Sequence, residues 1–421
     1  SGTVSFINNA NTTSTINVTT TETFSSLTFS KGTGQASTIT SGDTLVVEGT
    51  LTLTDGVLNT GDVTLNGSLS TGTSFDGGSA IITISGATTR TMTLGNGGSI
   101  PKIVLNAANA TVNEGSSGTL TMNQLTVQAG TYTGGAGSLT VTNAFSQTGG
   151  SMTLDSGTNT FSSTFGISDA SASFDAGSGT VTIGNVFTLS AGAFNGGSST
   201  MSITNASSLG DLIISGGTFT STSGTLSISN EFTHTAGGTF THNSGTVSFI
   251  NNANTTSTIN VTTTETFSSL TFLKTGQSAI ISSGDTLVVL GTLNYNDGTV
   301  TTGTVEAQGS VNVGANFDGG NAPLIFTGST ATQTFTLSNV LLFNGDITIN
   351  KTSGSVVLAS GLTMDAASQD LLITSGTFSI DGNTLIVNGT SGTVIVQTGG
   401  TFRLQGAETI TLNSSNPTLQ S

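Results

Sequence analysis

Two histidines in the segment EFTHTAGGTFTHNSG are the first candidates for metal chemistry. His234 and His242 lie eight residues apart, and Glu231 precedes both of them. Imidazole nitrogens and carboxylate oxygens are zinc ligands, so these three side chains would form a site if neighbouring strands brought them together. The alternative is that they are polar surface residues of a repeat. We favour the alternative and predict no metal ligands in this chain.

Aspartates beside glycines form a second candidate set, with the motif FDGG at Phe75 and Phe317 and the looser form FDAG at Phe174. Stacked turns would align such carboxylates with backbone carbonyls, which is the chemistry of a calcium site. The glycine-rich nonapeptide signature of calcium-binding repeats is absent, however. An Asp at a turn commonly accepts a hydrogen bond from its own following backbone. We predict this turn chemistry for Asp43, Asp55, Asp76, Asp175, Asp285, Asp297 and Asp318.

Asparagines recur in the string INNAN, which occurs twice. Their side-chain amides can form ladders between stacked strands, and we predict such ladders for Asn8, Asn9, Asn11, Asn251, Asn252 and Asn254. Glycosylation sequons begin at Asn11, Asn17, Asn66, Asn109, Asn205, Asn254, Asn260, Asn350, Asn388 and Asn413. Chance supplies many sequons in a chain rich in Asn, Ser and Thr, so the sequence leaves glycosylation open.

Catalysis is not expected. Glycoside hydrolysis needs a pair of carboxylates, and no acidic cluster stands apart from the turn aspartates. Elimination needs a base near a calcium-bound acid, and the six basic residues are dispersed along the chain. A sugar groove would also use aromatic platforms, but Trp is absent and only Tyr132 and Tyr295 occur. We therefore predict that the chain is not an enzyme and has no catalytic or cofactor-binding residues.

The charge balance excludes two classes of partner. Asp and Glu number 22 against 6 Lys and Arg, which gives a net charge of −16. Nucleic-acid binding requires clustered cations, and an anionic membrane surface makes the same demand. No apolar run approaches the roughly 20 residues of a membrane-spanning helix. The absence of cysteine excludes a disulfide framework and a thiolate metal site.

The elements that carry these residues are short strands. A glycine is repeatedly followed by alternating polar and apolar residues, as in GTVSF from Gly2, GTLTL from Gly49 and GTVTI from Gly179. A period of two in residues such as Val, Ile, Thr and Phe predicts half-buried strands. No stretch has the apolar stripe of a helix. The alternation predicts a core formed by residues such as Val4, Phe6, Leu51, Leu53, Val181, Ile183, Val394 and Val396.

A long internal repeat organises these strands. Residues 1–29 return letter for letter at 244–272, and GDTLVV at Gly42 returns at Gly284. We predict a first repeat unit at 1–243 and a second, incomplete unit at 244–421 that is continuous with the first. Strand pairs recur at the scale of a solenoid coil, roughly 20–25 residues, which predicts roughly 17–21 stacked coils. A string of β-sandwich domains would instead show boundaries and buried Trp or Tyr residues.

The strings GTVSF, SGDTLVVEGTLTLTDG and FDGGSAIITIS resemble the repeats of microbial cell-surface β-solenoid proteins. These include filamentous-haemagglutinin-like proteins, autotransporter-passenger-like adhesins and giant repeat surface proteins. The resemblance covers nearly the whole chain. It implies an all-β fold, a right-handed parallel β-helix, located outside a cell, and it implies no catalytic residue.

The sequence thus favours an extracellular structural protein, a subunit or segment of a cell-surface filament, sheath or stalk. Its expected partners are copies of itself, since both terminal segments read as uncapped strands. Surface glycans are a further candidate partner. The alternative is an adhesin that binds a glycan or a host protein through the flank of the β-helix.

Overall fold

The computed structural model describes residues 2–8, 13–86, 89–94, 98–114, 118–205, 209–253, 256–338, 343–413 and 419–420. Over these ranges the chain forms strands, turns and bends and contains no helix. Accordingly, none of this part of the chain forms a helix long and apolar enough to cross a membrane.

The strands in chain order are β1 (Thr3–Ile7), β2 (Thr13–Ile16), β3 (Thr21–Phe24), β4 (Ser26–Ser30), β5 (Ala36–Ile39), β6 (Thr44–Val47), β7 (Leu51–Asn59), β8 (Asp62–Leu65), β9 (Leu69–Phe75), β10 (Ile81–Ile84), β11 (Arg90–Leu94), β12 (Ser99–Ile100), β13 (Lys102–Glu114), β14 (Thr119–Met122), β15 (Leu125–Thr133), β16 (Ser138–Val141), β17 (Phe145–Gln147), β18 (Ser151–Thr153), β19 (Thr158–Phe161), β20 (Phe165–Ile167), β21 (Ser173–Asp175), β22 (Thr180–Ile183) and β23 (Phe187–Leu189). They continue with β24 (Ala193–Asn195), β25 (Thr200–Ile203), β26 (Leu212–Ile214), β27 (Gly217–Thr220), β28 (Thr225–Ile228), β29 (Phe232–His234), β30 (Gly238–Thr241), β31 (Thr246–Ile250), β32 (Thr256–Asn260), β33 (Thr264–Phe267), β34 (Ser269–Val289), β35 (Leu293–Ala307), β36 (Val311–Gly319), β37 (Leu324–Phe326), β38 (Thr332–Leu337), β39 (Ile347–Leu358), β40 (Leu362–Met364), β41 (Leu371–Ser379), β42 (Thr384–Val387), β43 (Val394–Val396), β44 (Gly400–Arg403), β45 (Thr409–Leu412) and β46 (Leu419–Gln420).

Strands pair in parallel with the corresponding strands of the next turn. The pattern is regular from β16 to β30: β16, β17 and β18 pair with β19, β20 and β21, which pair in turn with β22, β23 and β24. The described residues form about 17 such turns, which confirms the predicted β-solenoid. Turn length varies, because Leu51 pairs with Leu69, 18 residues on, whereas Phe232 pairs with Ile259, 27 residues on.

The chain divides into two compact units. The first comprises residues 1–203, 214–222 and 237–239, and the second comprises residues 204–213, 223–236 and 240–421. Both have an interior of stacked aromatic rings. In the first unit, Phe174 stacks on Phe194 and Phe194 on Phe219. In the second, Phe249 stacks on Phe272 and Phe272 on Tyr295.

Most of the residues that the alternation assigns to the core are buried in the structure. Leu51, Leu53, Val181, Ile183 and Val394 are at most 1% exposed. Phe6 and Val396 are half-buried.

The prediction for Val4 is wrong, because this side chain is 44% exposed. Val4 lies in β1, which pairs with β4 of the following turn. Its repeat counterpart Val247 lies in β31, which pairs with both β28 and β34, and it is 3% exposed. The same residue is therefore buried only where a preceding turn covers it.

Candidate functional site

The structure separates the histidines from their expected acidic partner. His234 is half-buried at the end of β29, whereas Glu231, three residues earlier, is exposed. His234 shares the inward face of β29 with Phe232, because alternate residues of a strand lie on one face, whereas Glu231 lies just before the strand. Among the described residues, no group of three or more His, Cys, Asp or Glu side chains could hold a metal ion.

His234 instead pairs with an acid that the sequence did not single out. Its Nδ1 lies 2.5 Å from Oε2 of Glu265, a residue of β33 in the next turn. Burial raises the pKa of the Glu265 carboxyl, and the hydrogen bond with His234 lowers it again in part. Nε2 of His234 and Nδ1 of His242 are buried without a hydrogen-bond partner in the described part of the chain. The hydrogen bond between His234 and Glu265 therefore joins two successive turns, and both side chains are largely enclosed by the solenoid.

The aspartates act in two different ways. Asp175 accepts a hydrogen bond from the backbone of Gly177 at 2.9 Å, which confirms the predicted turn chemistry at this position. Asp43 and Asp285, which are repeat counterparts, accept instead from the previous turn: from Val18 N at 2.9 Å and from Val261 N at 2.8 Å. These two carboxylates therefore tie successive turns together.

The remaining aspartates of the predicted set do not lie together in one site. Asp76 accepts from Gly34 N at 3.1 Å, and Asp297 accepts from the Thr275 hydroxyl at 2.7 Å. One carboxylate oxygen of Asp55 is buried without a partner among the described residues, and Asp318 is exposed. The carboxylates are distributed over separate turns.

Asparagine ladders are present, but at other positions than predicted. Asn312 donates to the Asn294 side chain at 3.0 Å, and Asn413 donates to the Asn388 side chain at 2.8 Å. Asn251 instead donates to the Thr275 carbonyl. Asn9, Asn11 and Asn254 lie outside the described residues.

The most distinctive polar feature is a set of buried lysines, which the sequence analysis missed. Lys31, Lys274 and Lys351 are at most 1% exposed, whereas Lys102 is half-buried. An unpaired buried ammonium is costly unless hydrogen bonds satisfy it. These side chains must therefore find acceptors inside the solenoid.

Lys274 is the best satisfied of the three. Its Nζ donates to the Ser257 hydroxyl at 2.6 Å, the Ile250 carbonyl at 2.8 Å and the Ser229 carbonyl at 3.1 Å. Burial lowers the pKa of its ammonium group to about 8. The three acceptors come from the turns that precede Lys274, so the ammonium acts as a cross-link between turns.

The other two lysines repeat this arrangement. Lys31 donates to the Ile7 carbonyl at 3.1 Å and the Ser14 hydroxyl at 2.8 Å, which are the repeat counterparts of two of the Lys274 acceptors. Lys351 donates to the Gln333 side-chain oxygen at 2.5 Å, and burial lowers its pKa. The buried lysine is thus a recurring device of this solenoid.

A glycine on the following turn makes room for each lysine. At Gly298, where φ is +80°, an added Cβ would press on the Lys274 carbonyl oxygen and lie 2.7 Å from Lys274 Cβ. A side chain at this position would therefore meet both backbone strain and a steric clash. The same relation joins Lys31 to Gly56 and Lys351 to Gly376.

A sequence signal for the lysines does exist. Each lies two residues after an inward-facing core residue: Phe29, Phe272 and Ile349 precede Lys31, Lys274 and Lys351. Because alternate residues of a strand share a face, this spacing directs the lysines inward. A glycine 24 or 25 residues later completes the signature, at 298 after 274 and at 56 after 31.

A buried acid in the first unit is the remaining candidate for proton chemistry. Glu114 Oε2 accepts hydrogen bonds from the Tyr132 hydroxyl at 3.2 Å and from Gly135 N at 3.3 Å. Burial raises the pKa of the Glu114 carboxyl and of the Tyr132 hydroxyl. The phenol and one carboxylate oxygen thus join two turns, whereas the other oxygen, Oε1 of Glu114, is buried without a partner among the described residues.

Neither the family models, nor the curated proteins, nor the solved structures with which the chain was compared gave a match.

Proposed function

We propose that this chain is a non-enzymatic structural segment of an extracellular cell-surface filament, sheath or stalk, formed by stacked β-solenoid coils. Its partners are further copies of the same repeat. The assignment to the cell surface rests on the resemblance of its repeats to those of microbial surface proteins. The mechanical role rests on the way in which successive turns are joined.

One observation carries the proposal: the two repeats reproduce the same contacts between turns. Lys31 and Lys274 donate to equivalent carbonyl and hydroxyl groups. Asp43 and Asp285 accept from equivalent backbone amides. The identical residues thus support stacking along the chain rather than a single local site, which is what an extended repeat structure requires.

Electron microscopy of the full chain at micromolar concentration tests the proposal. We expect filaments or tubes whose diffraction contains the strand spacing of about 4.8 Å along the fibre. Short, uniform particles at every concentration would argue against a filament subunit.

A groove in the second unit favours the adhesin as the second candidate. Ile250, Asn251, Leu273 and Thr275 line an open depression of about 370 Å³, and Leu273 is 41% exposed. In the first repeat, Ser30 occupies the position of Leu273, so the apolar wall is not a repeated feature. If the groove binds a glycan, Leu273→Ser should abolish retention on a glycan array, whereas Leu290→Ser, at another exposed leucine, should leave it unchanged.

A further inference from the structure

One face of the first unit carries threonine or serine at every outward position of five successive strands. In β14, β16, β19, β22 and β25 the first and third residues point outward, whereas the second and fourth are buried. The outward residues are Thr119, Thr121, Ser138, Thr140, Thr158, Thr160, Thr180, Thr182, Thr200 and Ser202. We call the surface that they form the hydroxyl array.

Strand pairing arranges the hydroxyl array in two columns. Thr140 pairs with Thr160 and Thr160 with Thr182 in one column, and Thr158 pairs with Thr180 in the other. The pairings among these five strands contain no register shift, whereas the pairing of β13 with β15 does. Ladders of like side chains are one of the features that stabilise a flat sheet of many strands. The hydroxyl array is therefore a regular surface.

The array has two repeat distances. Neighbouring strands of a sheet lie about 4.8 Å apart, and alternate residues of one strand lie about 6.6 Å apart. Because the branched Cβ of threonine restricts χ1, the hydroxyl and methyl groups have few orientations available. The face thus presents these groups on a rigid two-dimensional lattice.

The hydroxyl array is uncharged and open to a ligand. Its five strands contain no Asp, Glu, Lys or Arg, and their single aromatic side chain is buried. Elsewhere in the chain, the hydroxyls of Ser278 and Thr299 bond one another at 2.7 Å. By contrast, no hydrogen bond within the described residues engages the hydroxyls of Thr140, Thr160 or Thr182. These three hydroxyls are therefore available to groups outside the chain.

The other faces of the same turns lack this order. The outward residues of β17, β20 and β23 are Ser146, Gly166 and Thr188. On the third face, Asp175 of β21 lies opposite Asn195 of β24 and accepts a hydrogen bond from its side chain. The regular lattice of hydroxyl groups is therefore confined to one face of these turns.

We infer that the hydroxyl array binds ice. The surface of an ice crystal is an uncharged lattice of water oxygens, and its repeat distances are comparable with both spacings of the array. Water held between the two columns can join the crystal, so that it bridges the protein and the ice. Each contact is weak, but the rigid array holds all of them in register and lowers the entropic cost of binding.

The composition of the face favours ice over a polysaccharide. A charged side chain would keep its own oriented water shell, and the array has none. Sugar rings stack on exposed aromatic side chains, which these strands also lack. Ice binding goes beyond the proposed structural role and does not depend on it.

Ice affinity of the full chain tests the inference. A slowly growing ice hemisphere should incorporate the chain. A seed crystal in a solution of the chain should become faceted and should stop growing over an interval below its melting temperature. Exclusion of the chain from the hemisphere, together with equal freezing and melting temperatures, would overturn the inference.

A matched pair of variants locates the binding surface. Thr182 and Thr188 lie on neighbouring strands of one turn, and both are half-buried and point outward, but only Thr182 belongs to the array. Thr182→Tyr places a ring over the lattice and should lower incorporation into ice several-fold, whereas Thr188→Tyr should leave it unchanged. Urea midpoints close to that of the parent chain establish that both variants fold. Equal incorporation of the two variants would overturn the assignment to this face.

A second pair of variants avoids the bulky ring. Thr160→Val combined with Thr182→Val removes two hydroxyls with little change in shape, and it should also lower incorporation into ice. Thr188→Val is its control and should behave like the parent chain. Full incorporation of the double variant would contradict a role for the hydroxyls.

Microcrystalline cellulose and chitin provide the competing ligands. Retention on either polysaccharide that Thr182→Tyr removes, without incorporation of the parent chain into ice, would assign the array to a polysaccharide and overturn the inference. Ice binding by chains that remain short particles would refute the proposed function alone. Filaments that are excluded from ice would refute the inference alone.

Discussion

Replacing the glycine beside a buried lysine by alanine should lower the free energy of unfolding substantially, although alanine adds only a methyl group. We consider Gly298→Ala, with Gly284→Ala as its control. Both glycines belong to the second unit and have similar backbone angles, φ of +80° and +88°. At Gly284 an added Cβ meets no atom within 4 Å, whereas at Gly298 it would lie 2.6 Å from the Gln277 carbonyl oxygen.

The difference in free energy of unfolding between the two variants measures the contribution of close packing between the turns. A left-handed backbone costs a non-glycine residue about 1–2 kcal/mol. The lower freedom of the unfolded chain offsets about 0.4–1 kcal/mol of that cost. Gly284→Ala should therefore lower the free energy of unfolding by about 1 kcal/mol. Overpacking adds about 1–3 kcal/mol, and rigid backbone oxygens cannot rotate away, so Gly298→Ala should cost about 2–4 kcal/mol in all.

Urea unfolding followed by circular dichroism measures both variants against the parent chain. We expect the midpoint of Gly298→Ala to fall well below that of Gly284→Ala, with the same dependence on urea concentration. Equal midpoints would refute the reasoning, because they would mean that the turn following Lys274 accommodates the added methyl group without loss of stability.

Two further predictions concern the core and the buried ammonium. Val181→Asp should lower the free energy of unfolding by about 3–5 kcal/mol, because the charge would be buried without a partner. Thr182→Asp on the outer face should cost less than about 1 kcal/mol, and equal urea midpoints would mean that the alternation is misassigned. The Lys274 pKa falls from 10.5 to about 8 on folding, so the unfolded chain binds more protons between these values and stability should rise with pH across this window. Urea midpoints at about pH 8 and about pH 10 should show this rise and a smaller one in Lys274→Met; an identical rise in both chains would exclude Lys274 as its source.

Alternation along single strands was readable from the sequence. It placed Leu51, Leu53, Val181 and Ile183 in the core, because a period of two assigns each residue to one face whatever lies above or below the strand. It failed at Val4, because burial there depends on a second strand that covers the residue.

Contacts between turns were not readable, because turn length varies. His234 meets Glu265, 31 residues later, whereas Asn312 meets Asn294 across 18 residues. No fixed spacing connects such pairs, so the histidine–glutamate pair and the asparagine ladders required the structure. The buried lysines are an intermediate case, since inward alternation and a later glycine mark them. Their hydrogen-bond acceptors, however, lie on preceding turns that the local pattern does not specify.

Because they are buried, the lysines also allow protease cleavage to report local opening of the solenoid. Trypsin cleaves after lysine and arginine and must draw the surrounding chain into its cleft, so a lysine enclosed between turns is cut only when those turns separate. Lys31 lies in the first unit, and Lys274 and Lys351 lie in the second. The rate of cleavage at each would therefore report how often its own turn opens, at three separate places along one chain and without any added label.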